Sequence, residues 1–302
     1  MPITSVQPFL EQAEKEGKSL GEIMIEHELS LHDVSKKDVL AAMEKIWKVM
    51  ESSIEKGVQI TEKSPSGMSG GDARKLLTWS KNKKIVTNKH ILTAVARAIA
   101  VGEYNSSMGT IVAAPTAGSA GVIPATVYSA AEKFKASKDD ILSSLFAASL
   151  IGLVCDANAS TSGSEHGCQA EIGVAAAMGA CAVVELAGGS PTQAINAAAL
   201  ALKNTLGLAC DPVAGLVEVP CIKRNGVFTA EALIAADLSL AGITSIIPFD
   251  DVVAAMDEIG RMMPCEIKET SEGGLATTKT GRGYKMWLRS SGDRRLVKVD
   301  DE

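Results

Sequence analysis

The sequence predicts an all-α fold. Alanine and glycine are abundant, aromatic residues make up only 4% of the 302 positions, and runs that alternate apolar with polar residues are scarce. Small side chains suit helices packed closely together, whereas sheets draw on β-branched and aromatic residues. With 46% hydrophobic and 22% charged residues, the chain can bury a sizeable core as one large domain or two modest ones.

In chain order, residues 5–57 read as charged amphipathic helices. Ser35 is placed to cap one of them, with Asp38 three positions on, and Val39, Met43, Ile46, Trp47 and Met50 recur at helical spacing. The character changes at Lys63. Residues 1–62 are expected to form an N-terminal helical segment packed on a second unit, residues 63–302. In that unit KSPSGMSGGDARKL reads as a loop entering a helix, and HILTAVARAIAVGEYNSSMG as a helix. TIVAAPTAGSAGVIPATVYSAAEKF repeats the loop-to-helix pattern. Residues 139–154 read as a buried helix, and ANASTSGSEHGCQAEIGVAAAMGACAVVEL as a polar loop, a cysteine and an Ala-rich helix. Residues 191–206 form another helix with Pro191 near its first position after Ser190, followed by helices over 229–241 and 248–261. The tail from GGLATTKTGRGYK to VKVDDE reads as irregular and polar.

A net charge of −6 leaves no basic footprint for nucleic acid. The first residues lack a basic stretch followed by an apolar run, so no signal peptide is expected. The apolar stretches 140–154 and 172–187 are interrupted by Gly, Asp and Glu, short of the roughly 20 clean residues of a membrane span. A cytoplasmic protein with no membrane partner is the expectation. There, six cysteines are reduced thiols or metal ligands rather than disulfides.

The loops SGMSGG, TAGSAG and STSGSEHG each put several small residues at the mouth of a helix. Glycine lets backbone N–H groups approach a ligand, and a helix N-terminus favours anions. The loops are either plain connectors or a convergent site for a small anionic molecule such as a carboxylate. Among the thiols, Cys155 and Cys181 sit in apolar helical contexts and read as core; Cys265, after Pro264, has no clear place. Cys168, Cys210 and Cys221 each stand where a loop meets a helix or turn. Three thiolates with an open fourth position suit a [4Fe–4S] cluster; zinc competes, though CxxC spacing and ligand histidines are missing.

GCQAEIG (167–173), CDPVAGLVEVPCIKRN (210–225), NSSMGTIVAAPTAGSAG (105–121) and SGMSGGDARKL (66–76) resemble the α subunit of bacterial iron–sulfur-dependent L-serine dehydratase, over about residues 63–280. The resemblance implies that Cys168, Cys210 and Cys221 bind a [4Fe–4S] cluster and that residues 63–302 are the cluster-binding catalytic domain. It also implies a lyase of amino-acid degradation and gluconeogenesis that converts L-serine to pyruvate and ammonia. The family's β domain, a separate subunit in many Gram-positive bacteria, is absent from this sequence, so an L-serine dehydratase β subunit is the expected partner. Some single-chain relatives end in a cysteine that occupies the fourth iron; this chain ends in VKVDDE.

On this reading Ser66, Gly67, Ser69, Gly70, Thr116, Gly118 and Ser119 line the substrate pocket, and His166 is the candidate base by its intrinsic pKa near 6.5, unless the β subunit supplies the base. Lys63, Lys223 and Lys279 are candidate cations for the substrate carboxylate, and Glu165, Glu171 and Glu218 candidate orienting groups. Pyridoxal phosphate would need a Schiff-base lysine, and no lysine stands in such a context. Two alternatives are a cysteine-desulfurating lyase of related cluster chemistry and a non-enzymatic iron–sulfur sensor or scaffold.

Overall fold

A computed structural model describes residues 2–290, and among them it contains α-helices and short helical turns with no β-strand. The first three helices are α1 (Gln7–Glu16), α2 (Leu20–Leu31) and α3 (Lys36–Gly57). Ser19 with Glu22, and Ser35 with Asp38, form reciprocal capping boxes that satisfy the first free N–H groups of α2 and α3. Next come α4 (Asp72–Trp79), α5 (Lys89–Ser106), α6 (Val122–Phe134) and α7 (Lys138–Asn158), then a single short turn α8 (Gly163–His166). Residues Gln169–Gly173 wind as a π-turn directly into α9 (Val174–Leu186). The chain continues through α10 (Pro191–Lys203), α11 (Cys221–Leu240), α12 (Phe249–Met262) and α13 (Lys279–Ser290).

Helix α9 is the axis of the fold. Apart from Glu185, every side chain from Val174 to Leu186 is buried, and α6, α7, α10 and α11 pack around it. A helix apolar on all sides must be enclosed on all sides. The Ala-rich surfaces of α9 and α10 make that possible, because small residues let helix axes approach toward ~8 Å. Cys155 on α7 and Cys181 on α9 are fully buried in this core. Val6, Leu20, Ile23, Met24, Trp47 and Met50, from the N-terminal segment, belong to the same continuous core.

Three expectations change. Helix α11 starts at Cys221 rather than near residue 229, because Asn225 spends its side chain on Gly121 N–H, Gly118 C=O and Cys221 C=O instead of breaking the helix. The polar tail contains the amphipathic helix α13, which buries Gly281 and Leu288; VKVDDE lies outside the described residues. Finally, helix α7 and the segment Gln169–Leu186 are long and apolar enough to cross a membrane, with mean hydropathies of 1.6 and 1.4. Their apolar windows are 61% and 94% buried inside the protein, so both are core helices.

One acid is out of keeping with its surroundings. Glu231 on α11 has an Oε2 that is buried without a hydrogen-bond partner. Burial holds its carboxyl up at about 8, with a hydrogen bond to Asn204 pulling the other way. The unfolded chain releases this proton near the ordinary value of 4.5. Below that pH the group costs nothing. Between there and pH 8 the folded state holds a proton that the unfolded chain has lost, so stability falls as pH rises. Glu231→Gln should therefore stabilise by on the order of 2–3 kcal/mol at pH 8 and by almost nothing at pH 4.5. Thermal melts across that range would show the gap widening; a gap independent of pH would mean that the carboxyl is hydrated in the folded chain.

Candidate active site

The π-turn at the head of α9 gathers the chemistry. Its wider winding places Cys168 and Glu171 on one side, and π-turns recur where a helix is diverted to serve a site. Gln169, fully buried, fixes the turn: its amide donates to Met256 C=O at 2.9 Å and accepts from Gly207 N–H at 2.9 Å. One ligand atom from each of Cys168, Glu171 and Cys210 lies within 4.8 Å of the other two, and all three residues are buried. The Cys210 thiol points at Glu171 Oε2 at 3.5 Å and the Cys168 thiol at the same oxygen at 3.9 Å. Cys221, also buried, stands at the first position of α11. Burial pushes its thiol up, and the nearby Cys168 and Glu171 push it further. For Cys210 the hydrogen bond with Cys168 is the first cause of an upward shift and burial the second.

The main chain holds Cys210 from the far side. Its N–H donates to Ile267 C=O and its C=O accepts from Glu269 N–H, both at 2.8 Å. Arg224, one turn into α11, donates to Cys168 Sγ at 3.5 Å, to Ala209 C=O at 2.7 Å and to Asp211 Oδ1 at 3.0 Å. The other oxygen of Asp211 accepts from Leu275 N–H at 2.8 Å. A positive charge thus sits against the sulfur, and a buried acid holds that charge in place.

In front of the thiols lies a cavity of about 260 Å³, lined by Thr116, Gly118, Ser162, Gly163, Glu171 and Glu269 among others. Two of the three small-residue loops therefore meet there. Thr116 Oγ1 donates to Glu171 Oε1 at 2.6 Å, and Ser119 is buried beside it, with its hydroxyl 3.3 Å from that of Thr116. The glycines matter for space: a Cβ on Gly118 would stand 2.9 Å from Glu171 Oε1, and one on Gly163 would stand 3.1 Å from Cys210 Sγ.

The third loop sits behind the wall. Val217 lines the cavity, and the next residue, buried Glu218, accepts hydrogen bonds on one oxygen from Ser64, at 2.7 Å, and from Ser69. Ser66 joins this cluster through Ser64 at 3.0 Å. Gly70 has φ 115° and its Cα lies where a side chain would strike Glu62 C=O, a position only glycine fills. Gly67 packs under Trp287 of α13. Ser66, Gly67, Ser69 and Gly70 are not among the cavity-lining residues.

His166 is turned away from the cavity. Its Nε2 is 2.8 Å from Asp257 Oδ1 on α12, and its ring fills the space over Gly260, where a Cβ would come within 2.1 Å of Cδ2. Its Nδ1 is buried without a partner. Lys63 and Lys279 are exposed, and Lys223 is paired with Asp72 at 2.6 Å; none of these lysines lines the cavity. Glu165 is exposed and Cys265 is exposed in a short helical turn. Sequence reading missed Arg224, Asp211 and Glu269. Glu269 adopts the left-handed backbone region at φ 66°, which a glutamate rarely signals.

The family model "Serine dehydratase alpha chain" matches residues 15–276. The chain belongs to that family. The match begins well before residue 63, so it takes in α2 and α3 as well as the thiol site. "Probable L-serine dehydratase, alpha chain" of Bacillus subtilis (strain 168) is 46% identical over 278 residues, covering 92% of each chain. "L-serine dehydratase, alpha chain" of Peptoniphilus asaccharolyticus is 36% identical over 291 residues, covering 96% of this chain and all of that one. "L-serine dehydratase" of Streptomyces coelicolor is 36% identical over 282 residues, which are 91% of this chain but 61% of that protein.

The Arg224–Asp211 pair can be tested without any metal. Arg224→Gln leaves Asp211 buried beside Leu275 with its charge uncompensated, and should cost ~2–4 kcal/mol of unfolding free energy. Urea denaturation of the metal-free chain measures this; Asp211→Asn combined with Arg224→Gln should recover a large part of the loss.

Proposed function

We propose that this chain is the cluster-bearing subunit of an L-serine dehydratase, which converts L-serine to pyruvate and ammonia with a [4Fe–4S] cluster. The observation that carries the proposal is the buried group Cys168, Glu171 and Cys210, whose Glu171 also lines a small cavity, in a chain whose relatives are named L-serine dehydratases. The donor set suits such a group. Buried thiols that are pushed up in each other's presence are costly as thiolates unless a cationic centre compensates them, and the Arg224 hydrogen bond to sulfur is of the kind that tunes iron–sulfur centres. Cys168, Cys210 and Cys221 would hold the cluster, leaving one iron without a protein sulfur.

Bound there, the cluster supplies Lewis acidity toward the substrate's carboxylate and hydroxyl. The chain's own residues do the rest. Thr116, Ala117 and Gly118 of one loop and the Thr161–Gly163 segment of another line the cavity with small residues. Glycines 118 and 163 keep the space open beside Glu171. Dehydration removes the α-proton and the β-hydroxyl together as water; free 2-aminoacrylate then tautomerises and hydrolyses to pyruvate and ammonia. No histidine or lysine lines the cavity, and His166 is engaged with Asp257. Glu171 is committed to Thr116 and the thiols and Glu269 stands at the exposed rim, so the α-proton is assigned to a base on a second subunit closing over the cavity, within ~2.6–3.2 Å of that proton or one water away. "Alpha chain" in the relatives' names, and the part of the Streptomyces protein that this chain does not match, support such a partner. His166 is better placed to anchor α8 on α12.

Anaerobic reconstitution provides the test. Cys168, Cys210 or Cys221 replaced by Ser should lose the brown chromophore, iron and turnover, whereas Cys155→Ala and Cys181→Ala should keep all three at a stability cost of about 1–2 kcal/mol. Pyruvate should form from serine only when the second subunit is present. Sulfide release from cysteine exceeding pyruvate release from serine would favour the desulfurating lyase, and full iron in Cys210→Ser would refute the ligand assignment.

A further inference from the structure

The charge of the cavity is opposite to the one that its small-residue loops suggest. Helix mouths and N–H-rich loops favour anions, yet the charged side chains lining this space are two acids, Glu171 and Glu269, with no lysine, arginine or histidine among them. The two acids are not equivalent. Glu171 is buried and committed to Thr116 and the thiols of Cys168 and Cys210. Glu269 makes no side-chain hydrogen bond or ion pair among the described residues, and it stands exposed at the cavity mouth. Its backbone is held in the left-handed region at φ 66°. The Glu269 N–H bond to Cys210 C=O fixes it there, one half of the main-chain clasp on that thiol. A non-glycine residue in this conformation persists only where its surroundings enforce it, and such residues cluster at ligand sites.

We propose that Glu269 receives the ammonium group of the amino-acid substrate, and so makes the cavity select amino acids over the corresponding hydroxy acids. This rests on the dehydratase reading above. A zwitterionic substrate brings one positive and one negative group into the same small space. The negative group is directed inward, to the loop N–H groups and the metal position. The positive group then needs a carboxylate at the opposite, outer end, and Glu269 is the free one. The clasp on Cys210 ties the position of this recognition group to that of a thiol, so substrate binding and the metal position share one backbone anchor.

The test compares the reconstituted two-subunit enzyme with its Glu269→Gln variant. Glu269→Asn serves as a second variant because asparagine tolerates the left-handed backbone. Three quantities are read: the KM and kcat for L-serine, the inhibition constant of 3-hydroxypropionate (serine without its amino group), and iron per chain. Loss of one charge-assisted contact should raise the KM for serine ~10–100-fold. It should leave kcat within a few-fold, the inhibition constant of 3-hydroxypropionate unchanged or tighter, and iron content equal to the parent. An unchanged ratio between the two ligands, or an equal weakening of both, would overturn the proposal, since either result means that Glu269 does not read the ammonium. So would a fall in iron content that accounts for the lost turnover. A parent enzyme that binds and converts no serine would instead remove the dehydratase reading, and the proposal with it.

Discussion

Everything in this molecule is arranged around a helix that has no polar face. Helix α9 cannot meet water along any stripe, so four other helices must enclose it, and they can do so only because alanine and glycine dominate the contact surfaces. The enclosure has a direction. At its C-terminal end α9 runs out past Glu185 to the exposed Gly188 and Ser190; at its N-terminal end the winding loosens into the π-turn, which brings Cys168, Gln169 and Glu171 onto the axis. The site is thus built where the most constrained element of the fold changes its winding. Rigidity of this kind is what a metal centre requires, because ligand positions that drift lose affinity and geometry together.

The buried acids around that point divide the work. Glu103 caps α4 through the N–H groups of Asp72 and Ala73, at 2.7 and 3.2 Å. Glu218 gathers the serines of the 64–69 loop. Asp211 holds Arg224 and, through Leu275, ties the segment after α12 to the thiol region. Each is buried at the cost of desolvation and recovers it through hydrogen bonds to hydroxyls, backbone N–H groups or a guanidinium. Glu231 is the exception, buried with one oxygen unmatched.

Much of this was legible in the sequence, for identifiable reasons. Helix starts are local chemistry: Ser35 with Asp38, and Ser190 before Pro191, cap where their side chains reach. Cys168, Cys210 and Cys221 stood out because each lies where a loop meets a helix or turn, and Cys155 and Cys181 read as core because their contexts are apolar and helical. What was hidden depended on distant partners. His166 is occupied by Asp257, 91 positions away, so its neighbours in sequence gave no hint of its engagement. The early start of α11 depends on Asn225 finding Gly118 and Gly121 more than 100 positions upstream. Helix α13 looked irregular because its polar residues outnumber its buried ones, and only the position of its narrow apolar edge shows its role. Glu269 was invisible because a left-handed backbone at a glutamate comes from hydrogen bonding to Cys210, not from the residue's own preference.

The clasp between Cys210 and residues 267–269 also sets an order of events during synthesis. Cys168, Cys210 and Cys221 all emerge from the ribosome ahead of Ile267 and Glu269, by roughly 3–12 s for Cys210 at about 5–20 residues per second. During that interval the π-turn and α9 can form, but the thiol at 210 has no main-chain partners on its outer side, and Asp211 lacks the Leu275 N–H that completes its hydrogen bonding. A nascent chain therefore passes through a stage in which these sulfurs are unwalled. Metal delivery that waits for the last fifth of the chain meets a finished cradle; delivery or oxidation any earlier meets loose thiols.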